Sequence, residues 1–167
     1  MDILEGIYTR RSVRDFTADP VDRETVLEIL KAGSWAPSGL NNQPWRFVVV
    51  SDRGRRCELA KFTRYSRIIE DAPVAIAVFI DLAAMYHDTK DHQAIGACVQ
   101  NMLLAAHGLG LGAVWLGEIL KNAAAVAGLL DVPGTMDLMA VVAVGHPASQ
   151  GQRSTRKEVG ELLLREL

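Results

Sequence analysis

Cysteine is scarce in this chain: of 167 residues only Cys57 and Cys98 are cysteines. They stand far apart and outside any paired-ligand spacing. A disulfide framework is thereby excluded, and reduced thiols in a cytoplasmic protein are expected. A charge excess of either sign is also missing. Lys and Arg number 18 against 20 Asp and Glu, a net charge of −2, so no general nucleic-acid footprint is present and no nucleic-acid partner is expected. Long uninterrupted hydrophobic runs are absent. The stretch Ala94–Leu120 comes closest to a membrane span, but Gln100, Asn101, His107 and several glycines break it, and no membrane partner is expected. The opening MDILEGIYTRRS carries acid early and has no apolar core segment, which argues against a secretory leader. No Ser-His-Asp or Cys-His nucleophile arrangement is visible, and there is no internal repeat, low-complexity tract or long linker. What remains is one domain, residues 1–167, whose 49% hydrophobic content allows a sizeable core.

The patterning predicts an α+β sandwich around one sheet. Residues 2–9 read as a short helix running into a basic stretch. Asp22 is a plausible N-cap for a second helix, with Glu24 in its first turn and Val26, Ile29, Leu30 and Gly33 on one face. That helix should stop before Pro37. Four apolar runs, Arg46–Val50, Val74–Ile80, Ala113–Leu116 and Leu138–Val144, read as strands. They are continuous rather than alternating, so both faces should be covered. Helices alternate with them. The longest, about Asp91–Leu109, is apolar nearly all round and should be buried on most sides, partly at a dimer interface, with Val99 and Met102 facing the partner. A helix near Ala123–Leu130 precedes Pro133. The tail from Arg153 ends in the weakly amphipathic Val159, Leu162 and Leu163, which should reach over another part of the molecule or over a partner.

Three stretches carry chemistry. Arg10-Arg11-Ser12-Val13-Arg14 sets three guanidiniums and a hydroxyl within five residues, a site for phosphate or another anion, because the arginine fork donates two parallel hydrogen bonds. The same run would also suit a solvated helix end. The segment Trp35 to Trp45 packs amides and hydroxyls between two prolines. It can hold a planar heterocycle edge-on, though Ser, Gly, Asn and Pro are also ordinary loop residues. Arg153, Arg156 and Lys157 form a second basic cluster that could close the phosphate site from the other end of the chain. The run Gly108-Leu109-Gly110-Leu111-Gly112-Ala113 matches a dinucleotide fingerprint literally. It follows a helix and enters a strand, however, so a helix cap and tight turn is the better reading. Gly117, ending the third strand, would let a ligand approach the backbone. His87-Asp88 and Asp91-His92 could be metal ligands, and Asp88 and His92 share a helix face, yet no third ligand has zinc-like spacing, so a polar helix start or lid is favoured over a metal site. His107 and His146 read as structural.

Taken in order, Arg10-Arg11-Ser12-Val13-Arg14-Asp15-Phe16, Ala36-Pro37-Ser38, Asn41-Asn42-Gln43-Pro44-Trp45, Gly117 and Arg156-Lys157 resemble the nitroreductase family of flavoproteins, from about Ile7 to Lys157. The resemblance implies a nitroreductase-like fold, a central mixed sheet flanked by helices with a long helix at a homodimer interface, and two FMN sites shared between subunits. It further implies that Arg10, Arg11, Ser12 and Arg14 hold the ribityl chain and phosphate. Pro37, Ser38, Gly39, Asn41 (or Asn42) and Gln43 would line the flavin, partly from the opposite subunit. Backbone N–H groups of Leu116 and Gly117 would face its N5 and O4 edge. Arg156, or else Arg153 or Lys157, would complete the phosphate site.

The implied activity is hydride transfer from NADH or NADPH through flavin N5 to a nitroaromatic, quinone or similar small acceptor. One cavity would serve both partners in a ping-pong cycle. The flavin carries the redox chemistry, so no catalytic side chain is assigned. Other readings are a flavin-binding or redox-sensing module without efficient turnover, or another reaction of the same scaffold such as reductive dehalogenation.

Overall fold

The computed structural model describes residues 2–149 and 151–167. Its centre is a four-stranded sheet of order β1-β2-β4-β3, comprising β1 (Trp45–Val50), β2 (Val74–Asp81), β3 (Gly112–Leu116) and β4 (Met136–Gly145). Period-2 alternation sends Val74, Ile76, Val78 and Ile80 of β2 to one face and Ala75, Ala77 and Phe79 to the other. Each face has its own core. On the first, α2 (Arg23–Ser34) and α5 (Asp88–Gly108) bring Ile29, Cys98, Val99 and Met102 onto the sheet. On the second, α3 (Arg53–Ala60), α4 (Ser66–Asp71) and α6 (Ala123–Leu129) contribute Leu59, Ile69 and Val126. Double coverage explains why the strand sequences are unbroken apolar runs.

The expected mixed sheet needs correction. All three strand pairings are antiparallel. The parallel element is an isolated bridge between Ser12 and Ala113. Continuous apolar runs report burial on two faces and carry no information about strand direction.

Asp22 caps α2 by accepting from the Thr25 N–H at 2.8 Å. The glycine run closes α5: the N–H groups of Leu109, Gly110 and Leu111 return to the carbonyls of Ala105, His107 and Ala106. Gly110 supplies the left-handed residue at φ +78°. A second correction concerns α5. Val99 and Met102 are fully buried inside this one chain, so they do not form a surface for a partner. The half-exposed strip of α5 runs instead through Gly96, Ala97, Gln100, Leu104 and His107. The C-terminal arm, from Gly151 through α7 (Val159–Leu162) to Leu167, is exposed throughout, including Leu163 and Leu164. No described helix is long and apolar enough to cross a membrane.

Candidate functional site

The helix α1 (Ile3–Thr9) is boxed at its start by Asp2 and Glu5. Beyond it the chain lies against the outer edge of β3, where the Val13 N–H donates to the Ala113 carbonyl at 3.1 Å. Gly112 permits this approach, since a Cβ there would stand 2.6 Å from the Cβ of Val13. This path gathers Arg10, Arg11, Ser12 and Arg14 with Gln152, Arg153, Ser154 and Arg156 around an open cavity of about 520 Å³. Both basic clusters thus meet. Lys157 is not among the lining residues.

Five guanidiniums share that cavity, and no acidic side chain among the described residues lines it. Arg11 uses its Nη1 to donate to the carbonyls of Tyr8 and Arg10, both at 2.8 Å. Its Nε is buried without a partner, as are Nε and Nη1 of Arg10. Burial, then the charges of Arg156 and Arg11, pull the Arg10 guanidinium below the ordinary arginine range. Buried donors without acceptors are costly, and an oxyanion in this cluster could offset that cost. Arg14 is exposed.

The amide-rich segment forms a tight loop between α2 and β1. Three of its non-glycine residues, Leu40, Asn41 and Gln43, hold left-handed φ angles of 54°, 55° and 47°. Such conformations persist only where surroundings enforce them, and they cluster at ligand sites. Internally, Ser38 Oγ accepts from the Gln43 N–H at 3.1 Å, and Gln43 Nε2 donates to the Asn41 carbonyl at 3.1 Å. Arg46 clamps the exit, donating to the Gln43 carbonyl at 3.1 Å and pairing with Asp81 at 2.7 Å. Pro37, Ser38 and Gly39 line a second, smaller cavity of about 220 Å³ with Lys90, Gln93, Ala94 and Ala97 of α5. Asn41 is exposed, whereas Asn42 turns inward. Trp45 is core, while Trp35 is 80% exposed.

Asn42 meets Asp91, a fully buried carboxylate in the first turn of α5. Asn42 Nδ2 donates to Asp91 Oδ1 at 2.7 Å and to the Ala84 carbonyl at 3.0 Å. The other oxygen, Oδ2, accepts from the N–H groups of Tyr86 and His87 at 2.9 and 2.8 Å. Burial pushes the Asp91 carboxyl up, but the hydrogen bonds from His87, Asn42 and Tyr86 outweigh it and hold it below the usual range. The Asp88 to His92 polar stretch is thus a helix start pinned to the loop. Among the described residues no group of three metal-ligating side chains forms.

At the end of β3, Leu116 is buried and Gly117 exposed, with open space where a Cβ would project. The next residue, Glu118, accepts from Thr63 Oγ1 at 2.6 Å, from the Arg64 N–H at 3.1 Å, and from Lys121. Its carboxyl is held down at about 2 by the Lys121 and Thr63 hydrogen bonds.

Of the residues singled out by sequence, Arg10, Arg11, Ser12, Arg14, Arg153 and Arg156 come together, and Pro37, Ser38 and Gly39 form a separate group. Asn41, Gln43, Leu116 and Gly117 line neither cavity. Sequence reasoning missed Lys90, Gln93 and Tyr86, whose hydroxyl lies against Gly39. That stretch drew notice only through its acidic and histidine residues, as metal-ligand candidates.

The nitroreductase family model matches residues 7–64 and 57–146. A protein of Methanothermobacter thermautotrophicus, provisionally named NADH dehydrogenase/NAD(P)H nitroreductase, is 36% identical over 150 residues, covering 89% of this chain and 78% of that one. A crystal structure of a provisionally assigned nitroreductase in complex with FMN, from a Desulfovibrio desulfuricans subspecies, has a TM-score of 0.95 at 51% identity, covering 100% of this chain and 98% of that chain. The NADPH:FMN oxidoreductase of Vibrio harveyi complexed with NAD+ has a TM-score of 0.88 at 28% identity, covering 98% of this chain and 76% of that chain. With sequence and fold in agreement over most of its length, this chain belongs to the nitroreductase family.

Proposed function

We propose that the protein is an FMN-dependent NAD(P)H oxidoreductase that reduces a small acceptor such as a nitroaromatic or quinone, and that it works as a homodimer. The observation that carries this reading is the acid-free cavity of five arginines, with buried Arg10 and Arg11 donors that lack acceptors. A phosphate supplies the missing oxygens. Bound FMN would supply the hydride-transferring centre, alternating between nicotinamide and acceptor in a ping-pong cycle.

The chain's own residues bind and orient. Arg10, Arg11, Ser12 and Arg156 would hold the phosphate, and Arg153 is placed to share it. Arg14, exposed beside them, would favour negative charge on the pyrimidine side of the ring. Pro37, Ser38, Gly39, Asn41 and Gln43 would line the ring. Asn41 is preferred over Asn42 because the Asn42 amide is already engaged with Asp91 and Ala84. The backbone N–H groups of Leu116 and Gly117 would face the ring edge, and exposed Gly117 leaves open space there.

Two half-sites on one chain favour a dimer, in which the loop of one subunit completes the arginine site of the other. The exposed apolar residues of the C-terminal arm and the half-exposed strip of α5 would then be covered. The unpaired cysteines fit a reducing compartment such as the cytoplasm.

The protein should purify yellow and release FMN on denaturation, identified by chromatography and fluorescence. A colourless protein that also fails to bind added FMN would sink the reading.

A further inference from the structure

The amide loop is strained and lies on the surface. Its internal hydrogen bonds, from the Gln43 N–H to Ser38 and from the Gln43 amide to Asn41, tie the loop to itself and do not fix it to the body. Arg46 fixes only its exit. In its middle, the Asn42 amide reaches the body through Asp91 and Ala84. The direction of that amide is settled by charge, since the carboxylate demands the donor side. Asn42 Oδ1 is left buried without a partner, a cost accepted to place both donors.

Asp91 holds more than the loop. Its second oxygen gathers the Tyr86 and His87 N–H groups, which fixes the turn between β2 and α5. That turn sets the Tyr86 hydroxyl against Gly39, where a Cβ would stand 1.8 Å from it. Lys90, one turn on, lies 5.5 Å from the Tyr86 ring. One buried carboxylate therefore joins two segments that meet at the smaller cavity.

We propose that Asp91 is a positioning residue for the cofactor site, holding the amide loop in its strained conformation through Asn42. This rests on the reading that the loop lines FMN. Asp91 does not touch the cofactor; it sets the residues that do. With the pin removed, Leu40, Asn41 and Gln43 relax toward ordinary φ values. FMN must then restore the loop geometry from its own binding energy, and its affinity falls.

A double-mutant cycle tests this. FMN dissociation constants are measured by flavin fluorescence for wild type, Asn42→Ala, Asp91→Ala and the double variant. Backbone amide exchange over residues 38–43 and 84–88 is followed on the cofactor-free proteins. Asn42→Ala leaves the Tyr86 and His87 bonds in place. It should weaken FMN about tenfold and speed exchange in the loop, while the 84–88 turn stays protected. In the double variant the loss should be no greater than in Asp91→Ala alone. A product of the two single losses would show that Asp91 acts only as a helix start, and would overturn the proposal. If Asp91→Ala does not fold, Asn42→Ala decides alone: unchanged FMN affinity and unchanged loop exchange overturn it. A wild type that binds no FMN removes the functional reading instead, and loop exchange in Asn42→Ala still reports whether the pin exists.

Discussion

Arg10 and Arg14 stand four positions apart and should fail differently when removed. Arg10 lines the cavity, and its Nε and Nη1 are buried without partners. Losing a charge-assisted bond of about 1.5–3 kcal/mol should weaken FMN roughly tenfold to a hundredfold in Arg10→Ala. Excess FMN should restore turnover, because the chemistry is untouched. Arg14→Ala should instead slow reduction by NADH or NADPH even at saturating FMN. Fluorescence titration and single-turnover reduction separate the two cases. If both variants lose only affinity, Arg14 belongs to the phosphate group of residues.

Glu118 supplies a pH signature. Its carboxyl, held at about 2 against an ordinary 4.5, favours the folded state when ionised. A depressed folded value means that this stabilisation is complete above about 4.5 and is lost as the pH falls toward about 2. Glu118→Gln should therefore cost stability at neutral pH and flatten the acid side of the Tm profile across that window. Equal slopes in thermal melts of both proteins would refute the assignment.

Single residues were legible in the sequence where type alone dictates chemistry. The arginine run, Ser12 and Arg156 are of that kind, and the structure puts them around one cavity. The role of Asn42 was not legible. Asn41 and Asn42 are identical in type and adjacent, and only the burial of Asp91 shows which one turns inward. Tyr86 was missed for a similar reason: its closeness to Gly39 is a tertiary contact with no periodic signal.

At the scale of elements, the four strands and the helices α2, α5 and α6 lie within a few residues of their sequence bounds. They carry strong apolar patterns and capping residues. The two short helices after β1 gave no bounds. In RGRRCELA only Arg56, Leu59 and Ala60 are buried, too few to draw a stripe. Helix α5 is the instructive case. An apolar circumference announced burial, but not how it is divided between the chain's own core and a partner. Val99 and Met102 face the core, whereas Leu104 lies on the half-exposed strip. Val99→Glu should strand an unpaired charge in the interior and unfold the subunit, a loss of more than about 4 kcal/mol. Leu104→Glu should leave the fold intact and disrupt the proposed homodimer. Circular dichroism and analytical ultracentrifugation distinguish them. A dimeric Leu104→Glu protein would move the interface elsewhere.

For the molecule as a whole, the segment after α1 has a second duty. It lies on the outer edge of β3, tied there at Ala113, and a second bridge joins Phe16 to Pro147 beyond β4. An uncovered edge strand is a template on which another chain can add, the first step toward aggregation. Here the template is covered by the stretch that bears three of the five clustered arginines, whose like charges also repel an approaching copy of themselves. On the proposed reading, edge protection and cofactor binding share one short piece of chain. A change that weakens its grip on the sheet should then invite precipitation as well as loss of colour.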